Sequence, residues 1–173
     1  MLFRSHYSSI GWRFHRVHHS DEAVDVTTAF RQHPGETVWR VLWQLPAIIL
    51  LGLPLWMVAV YLALSTLNAQ LEHANIRVAG ALDWAVRWLF VTPNMHKVHH
   101  SRLERETNSN YSNIFALWDR LFGTYTAAID FGTLRYGLEG MAGEGFGGLM
   151  VMPFVDPRAV ADVRARPPRP AAQ

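Results

Sequence analysis

Apolar and polar positions divide this chain into a greasy middle with a histidine-bearing flank on either side. From Val41 to Leu71 there is not one charged residue. As a straight helix that run would be roughly 46 Å long, against a hydrocarbon core of about 30 Å. Two full spans would need about 40 residues, so the length suits neither one crossing nor two. Gly52-Leu53-Pro54, near its middle, is a natural helix break. Upstream, residues 1 to 20 read as helical and aromatic, with Phe3, Tyr7, Ile10, Trp12 and Phe14. No capping residue or lead-in precedes them, which predicts a missing upstream element and an N-terminally truncated chain.

Residues 20 to 36 form a polar connection ending in His33-Pro34-Gly35-Glu36, a turn and helix start with an acid in the first turn. Residues 81 to 91 read as a short amphipathic helix suited to a membrane interface, with Trp84, Arg87 and Trp88. Thr92-Pro93-Asn94 stops it. Residues 114 to 125 carry a further helical block ended by Gly123. Residues 131 to 150 are glycine-rich, and the Pro/Arg/Ala-rich stretch 156–173 is expected to be a disordered tail. The fold class is all-α, with one domain over 1–155.

The flanks carry the same segment twice. His15-Arg16-Val17-His18-His19-Ser20 returns as His96-Lys97-Val98-His99-His100-Ser101, differing only by Arg for Lys. On a helix, positions i, i+3 and i+4 share one face, so each copy aims three imidazoles the same way. A packed core has no use for such triplets and a solvated face has no reason to repeat them, so they read as metal ligands. That settles the apolar run. A single crossing would put the triplets on opposite sides of a bilayer, whereas a two-helix hairpin, with arms near 37–51 and 54–72, returns the chain to the side it left. Arg40 before it and Arg77 and Arg87 after it put both ends on the cytoplasmic side. The expectation is an integral membrane hairpin with a cytoplasm-facing, histidine-rich helical cap.

Composition narrows the chemistry. Half of the 173 residues are hydrophobic and only 17% charged, too apolar for disorder and leaning toward a membrane. The absence of cysteine excludes disulfides, thiolate zinc and iron–sulfur clusters. A net charge of +2, with basic residues scattered beside apolar segments, is no nucleic-acid footprint. His6, the two triplets and His73, at the mouth of the hairpin, offer eight imidazoles, enough for two metals. Neutral imidazole suits zinc, copper, iron and nickel alike. O2 chemistry on a lipid C–H bond, hydrolysis by metal-bound water, and metal binding without turnover all remain open on spacing alone. His33, before Pro34, reads as an interfacial or outer partner of the ligands. Asp119 could accept from a liganding imidazole or pair with an arginine, and Asn110, in the polar stretch between it and the second triplet, is a further candidate outer partner of the ligands.

Trp12 to Ser20, Arg31-Gln32-His33-Pro34, Glu72 to Ile76, Thr92 to Ser101 and Trp118 to Tyr125 together resemble the fatty acid hydroxylase/sterol desaturase superfamily, in order, over about residues 6 to 155. The resemblance implies an integral membrane, non-haem di-iron oxidase that hydroxylates or desaturates a sterol, fatty acyl or related lipid. It would use O2 and two electrons from an external donor such as a cytochrome b5-like protein or ferredoxin. It implies His15, His18, His19, His73, His96, His99 and His100 as ligands of two iron ions, for which zinc could substitute. His6 matches the second histidine of the family's first His-x-x-x-His motif. The first would fall at Leu2, which predicts a weakened site and an impaired enzyme, or a zinc-loaded remnant.

Overall fold

The computed structural model describes residues 2–127, 131–139, 141 and 145–155; the side chains of residues 2–4 and the whole of the 156–173 stretch lie outside that description. Among the described residues the architecture is all-helical, with two isolated bridges, Phe90 to Phe115 and Ser101 to Tyr136, and no strand. Two helices stand at the front, α1 (Leu2–Tyr7) and α2 (Ser9–His19). The break between them is made by Ser8, whose hydroxyl caps α2 by accepting from the Gly11 amide at 3.1 Å. The chain therefore carries a cap inside the stretch where the sequence pattern shows none.

The long pair follows, α3 (Pro34–Leu50) and α4 (Leu55–His73). His33 caps α3 from an extended conformation, its Nδ1 accepting from the Gly35 amide at 2.9 Å, and Pro34 opens the first turn where it sacrifices no bond. Between the helices the amides of Gly52 and Leu53 donate back to Ile49 and Ile48, a Schellman closure with Gly52 at φ +60. Pro54 starts α4. Beyond these lie α5 (Gly80–Val86), α6 (Pro93–His99), α7 (Glu104–Thr107), α8 (Leu117–Leu121) and α9 (Phe146–Val151). The last falls in a stretch that the sequence marks only as glycine-rich.

Among the described residues no helix is long and apolar enough to cross a membrane. The reason lies at the helix ends. Glu36 and Arg40 belong to α3, and Asn68, Gln70, Glu72 and His73 to α4, so polar turns shorten the apolar part of each. What remains is a broad exposed apolar surface that includes Leu42, Ile49, Leu50, Leu55, Trp56 and Leu67. α3 sets out from, and α4 comes back to, the same cluster of imidazoles, since Glu36 contacts His15 and His73 contacts His18.

The interior is unusual for its polarity. Two small apolar clusters exist, one around Val17, Met141 and Met152, the other around Val91, Met95 and Ala116. Yet the largest fully buried side chains include His15, His19, His96, His99, His100, Glu36 and Glu72. A folded chain does not bury that many titratable groups unless something pairs with them.

Candidate metal centre

α2, α4 and α6 all end at this cluster, at His19, His73 and His99. A helix C-terminus carries partial negative charge, so three such ends make a field suited to a cation.

Eight of the nine histidines assemble there, in two groups of four whose ligand atoms lie within 4.8 Å of one another. Group A is His6, His15, His19 and His99; group B is His18, His73, His96 and His100. Each triplet thus sends its i and i+4 imidazoles to one group and its i+3 imidazole to the other. Helix geometry explains the division. At about 100° per residue, i+4 lies roughly 40° to one side of i and i+3 roughly 60° to the other. Positions that share a broad face still diverge enough for one turn to serve two ions.

The outward nitrogens fix which atom faces inward. His15 Nδ1 donates to Glu36 Oε1 at 2.7 Å, His18 Nδ1 to the Thr28 carbonyl at 3.0 Å, and His99 Nδ1 to the Ser109 carbonyl at 2.7 Å. His6 Nδ1 donates to Asn108 Oδ1 at 3.2 Å and His73 Nδ1 to the Ala69 carbonyl. A neutral imidazole holds one proton, so each of these rings presents a bare Nε2 lone pair. In group B, the Nε2 atoms of His18 and His73 stand 3.1 Å apart with both protons spent elsewhere. His73 to His100, His73 to His96 and His96 to His100 repeat the approach at 3.0, 3.0 and 3.2 Å. In group A, Nε2 of His6 and of His99 are buried without a hydrogen bond. Burial, reinforced by mutual repulsion, holds His18, His19, His96 and His100 well below the usual imidazole range; burial likewise brings His73 to about 4 and His99 to about 3. Protons therefore do not relieve the crowding at neutral pH. Tetrahedral imidazole ligands about 2.0–2.1 Å from a metal stand about 3.3–3.4 Å from each other. The spacing fits a cation in each group.

A cavity of about 1310 Å³ opens beside the centre. His18, His73 and His96 of group B line it, with His15 alone from group A. Residues of α3 and α4 line it, as do residues of the 111–116 loop and of α8 that follows.

The remaining candidates sit elsewhere. His33 joins neither group; its Nε2 donates to the Met150 carbonyl at 3.2 Å, and its service to the site is to start the helix that carries Glu36. Among the described residues Asp119 reaches neither an imidazole nor an arginine. Its carboxylate accepts from the amides of Tyr111 and Ser112 and from Thr124 Oγ1, because those unpaired loop donors lie nearer than any side-chain cation. Asn110, at φ +50 and fully buried, ties the same loop to the carbonyls of Met95 and Thr126. Both hold the loop whose Ser109 carbonyl orients His99. Leu2, where the family's first histidine is expected, has its side chain outside those described, and four imidazoles assemble in group A without it. Sequence reading passed over Glu36, Thr28, Asn108 and Ser109 as partners of the ligands. One signal existed: Thr28 and Ser109 each lie ten residues beyond the histidine they hold.

Comparison with known proteins agrees with this geometry. The chain is 33% identical over 145 residues to ornithine lipid hydroxylase OlsE of Rhizobium tropici, covering 83% of this chain and 42% of that protein. It is 33% identical to alkylglycerol monooxygenase of Xenopus tropicalis and 31% identical to that of Homo sapiens, covering 70% and 71% of this chain and 26% of each relative. It thus spans less than half the length of these relatives. No solved structure matches it. Residues 3–124, which hold all eight clustered histidines, match the fatty acid hydroxylase family, and the chain belongs to that family.

Proposed function

We propose that this chain forms the metal-binding part of an O2-dependent lipid oxidase, holding two iron ions at groups A and B. The observation that carries the reading is the pair of four-histidine groups with their outward nitrogens already engaged. Relatives named as a lipid hydroxylase and as alkylglycerol monooxygenases support the reaction class. When bound, iron supplies the redox chemistry that activates O2. Hydroxylation consumes R–H, O2, two electrons and two protons and yields R–OH and water; desaturation takes two hydrogens from the lipid and yields two waters.

The chain's own residues contribute position and environment. Glu36 and the carbonyls of Thr28 and Ser109 hold the ligand rings in one tautomer. The cavity admits a lipid chain to the group B side, where Ile114, Phe115 and Phe122 keep water from the reacting carbon. The exposed apolar faces of α3 and α4 embed in the bilayer, with the histidine centre at its cytoplasmic edge. Electrons come from a separate protein of the cytochrome b5 or ferredoxin kind.

The test is O2 uptake by the iron-loaded chain with a chemical reductant and membrane lipid, followed by mass analysis of the lipid. Uptake that depends on lipid and yields a product heavier by one oxygen, or lighter by two hydrogens, supports the oxidase. A chain that takes up zinc, binds no iron and leaves the lipid unchanged makes it a metal-binding protein without turnover.

A further inference from the structure

The cavity wall carries one cation that makes no direct hydrogen bond or ion pair among the described residues. Three carboxylates line the space, Glu36, Glu72 and Asp119, and each is engaged: Glu36 by His15, Glu72 by Asn68 at 3.3 Å, and Asp119 by the Tyr111–Ser112 backbone. Arg40 is the only lysine or arginine among the lining residues. Among the described residues it makes no hydrogen bond and meets no carboxylate within 4.0 Å; Glu36, one turn away, feels its charge without contact, and the second oxygen of Glu36 is buried without a hydrogen bond. On α3 it is flanked by Thr37 at i−3 and Gln44 at i+4, both also lining the cavity, so a guanidinium, a hydroxyl and an amide share one face. The lining also includes the apolar Ile114, Phe115, Trp118 and Phe122. A guanidinium on a cavity wall with no carboxylate in direct contact has its donors open to an anion that enters the cavity.

We propose that Arg40, with Thr37 and Gln44, receives the anionic headgroup, carboxylate or phosphate, of a single acyl or alkyl chain that lies along this cavity. The inference rests on the lipid reading of the site and deepens it from lipid to anionic amphiphile. A neutral lipid offers the half-buried guanidinium no charge to bind, so the site discriminates by the head as well as the chain.

The experiment uses the full chain in neutral-detergent micelles and three probes with one C18 tail: oleate, oleyl phosphate and oleyl alcohol, with binding measured calorimetrically. The wild-type chain is expected to bind at least one of the two anions about tenfold more tightly than the alcohol, and the tighter of the two identifies the headgroup. Arg40→Gln removes most of that preference while leaving the alcohol unchanged. Arg40→Lys keeps it but weakens it severalfold, because the ammonium lacks the fork. Arg13→Gln, an exposed arginine outside the cavity, keeps the wild-type preference. Equal binding of all three probes to the wild type overturns the proposal, and so does a preference that survives Arg40→Gln. If Arg40→Gln does not fold, the wild-type comparison and Arg40→Lys still decide it. Binding needs neither O2 nor turnover, so its failure and failure of the oxidase reading are separately visible.

Discussion

The two triplets are near-identical in sequence, and the structure treats them almost as images of each other. In both, the first histidine faces a buried glutamate, Glu36 for His15 and Glu72 for His96. The second gives its Nδ1 proton to a carbonyl ten residues on, and the third has a buried Nδ1 without a partner. Val17 and Val98 both face the interior, and Arg16 and Lys97 both tie down distant carbonyls, of Met152 and Val155 in one case and Ile76 in the other. The differences are of degree. Glu36 is within hydrogen-bond distance of its imidazole, whereas Glu72 stands 3.9 Å from His96. The lesson is that a repeat of six residues, paired with its copy in opposite order, supplies three of the four imidazoles of each group, and that His6 and His73 supply the fourth.

Acid breaks both halves together and has the largest expected effect. Histidines with depressed folded values bind fewer protons folded than unfolded at every pH between that value and about 6.5. The metal-free chain is therefore fully stabilised above about 6.5 and loses several kcal/mol as the pH falls, through about 4 for His73 and about 3 for His99. Chemical denaturation between pH 8 and 4 measures it; a flat profile means that the imidazoles are not buried.

Alanine pairs break the halves selectively. His15→Ala with His19→Ala strips group A alone, and one ion per chain remains. His18→Ala with His99→Ala takes one ligand from each group, and both ions weaken by more than the 10- to 100-fold typical of losing an outer partner. Metal analysis after dialysis against a chelator distinguishes the two patterns.

The glutamates sharpen the comparison. Glu36→Gln is expected to cost group A about 10- to 100-fold in affinity and to leave group B unchanged, read by competition with a metal indicator. Glu72→Gln acts on group B and only a few-fold, because 3.9 Å is beyond a hydrogen bond. The smallest effect belongs to the one position at which the copies differ. Arg16→Lys surrenders the fork that spans two carbonyls and costs about 1 kcal/mol in thermal unfolding, with both ions retained.

Some of this was legible in the residues and some was not. The triplets, His6 and His73 were recognisable because ligand chemistry needs particular side chains at helical spacing. The apolar run was legible as two helices, α3 and α4, close to the expected arms near 37–51 and 54–72. Its uncharged length is real, but polar turns at both ends leave no helix in the described residues apolar enough to span. The division of each triplet between two groups was not legible, since it depends on α2 and α6 meeting across the centre. Asp119 misled for a related reason: a carboxylate in a helical block looks like an outer partner of a ligand until the loop's own backbone donors are seen to claim it.

Eight imidazoles in two groups of four predict two separate metal sites. Anaerobic titration of the metal-free chain with ferrous iron tests it most directly. Two equivalents bound per chain, and still two in His33→Ala, is the predicted result. Saturation at one equivalent, or none, would contradict it.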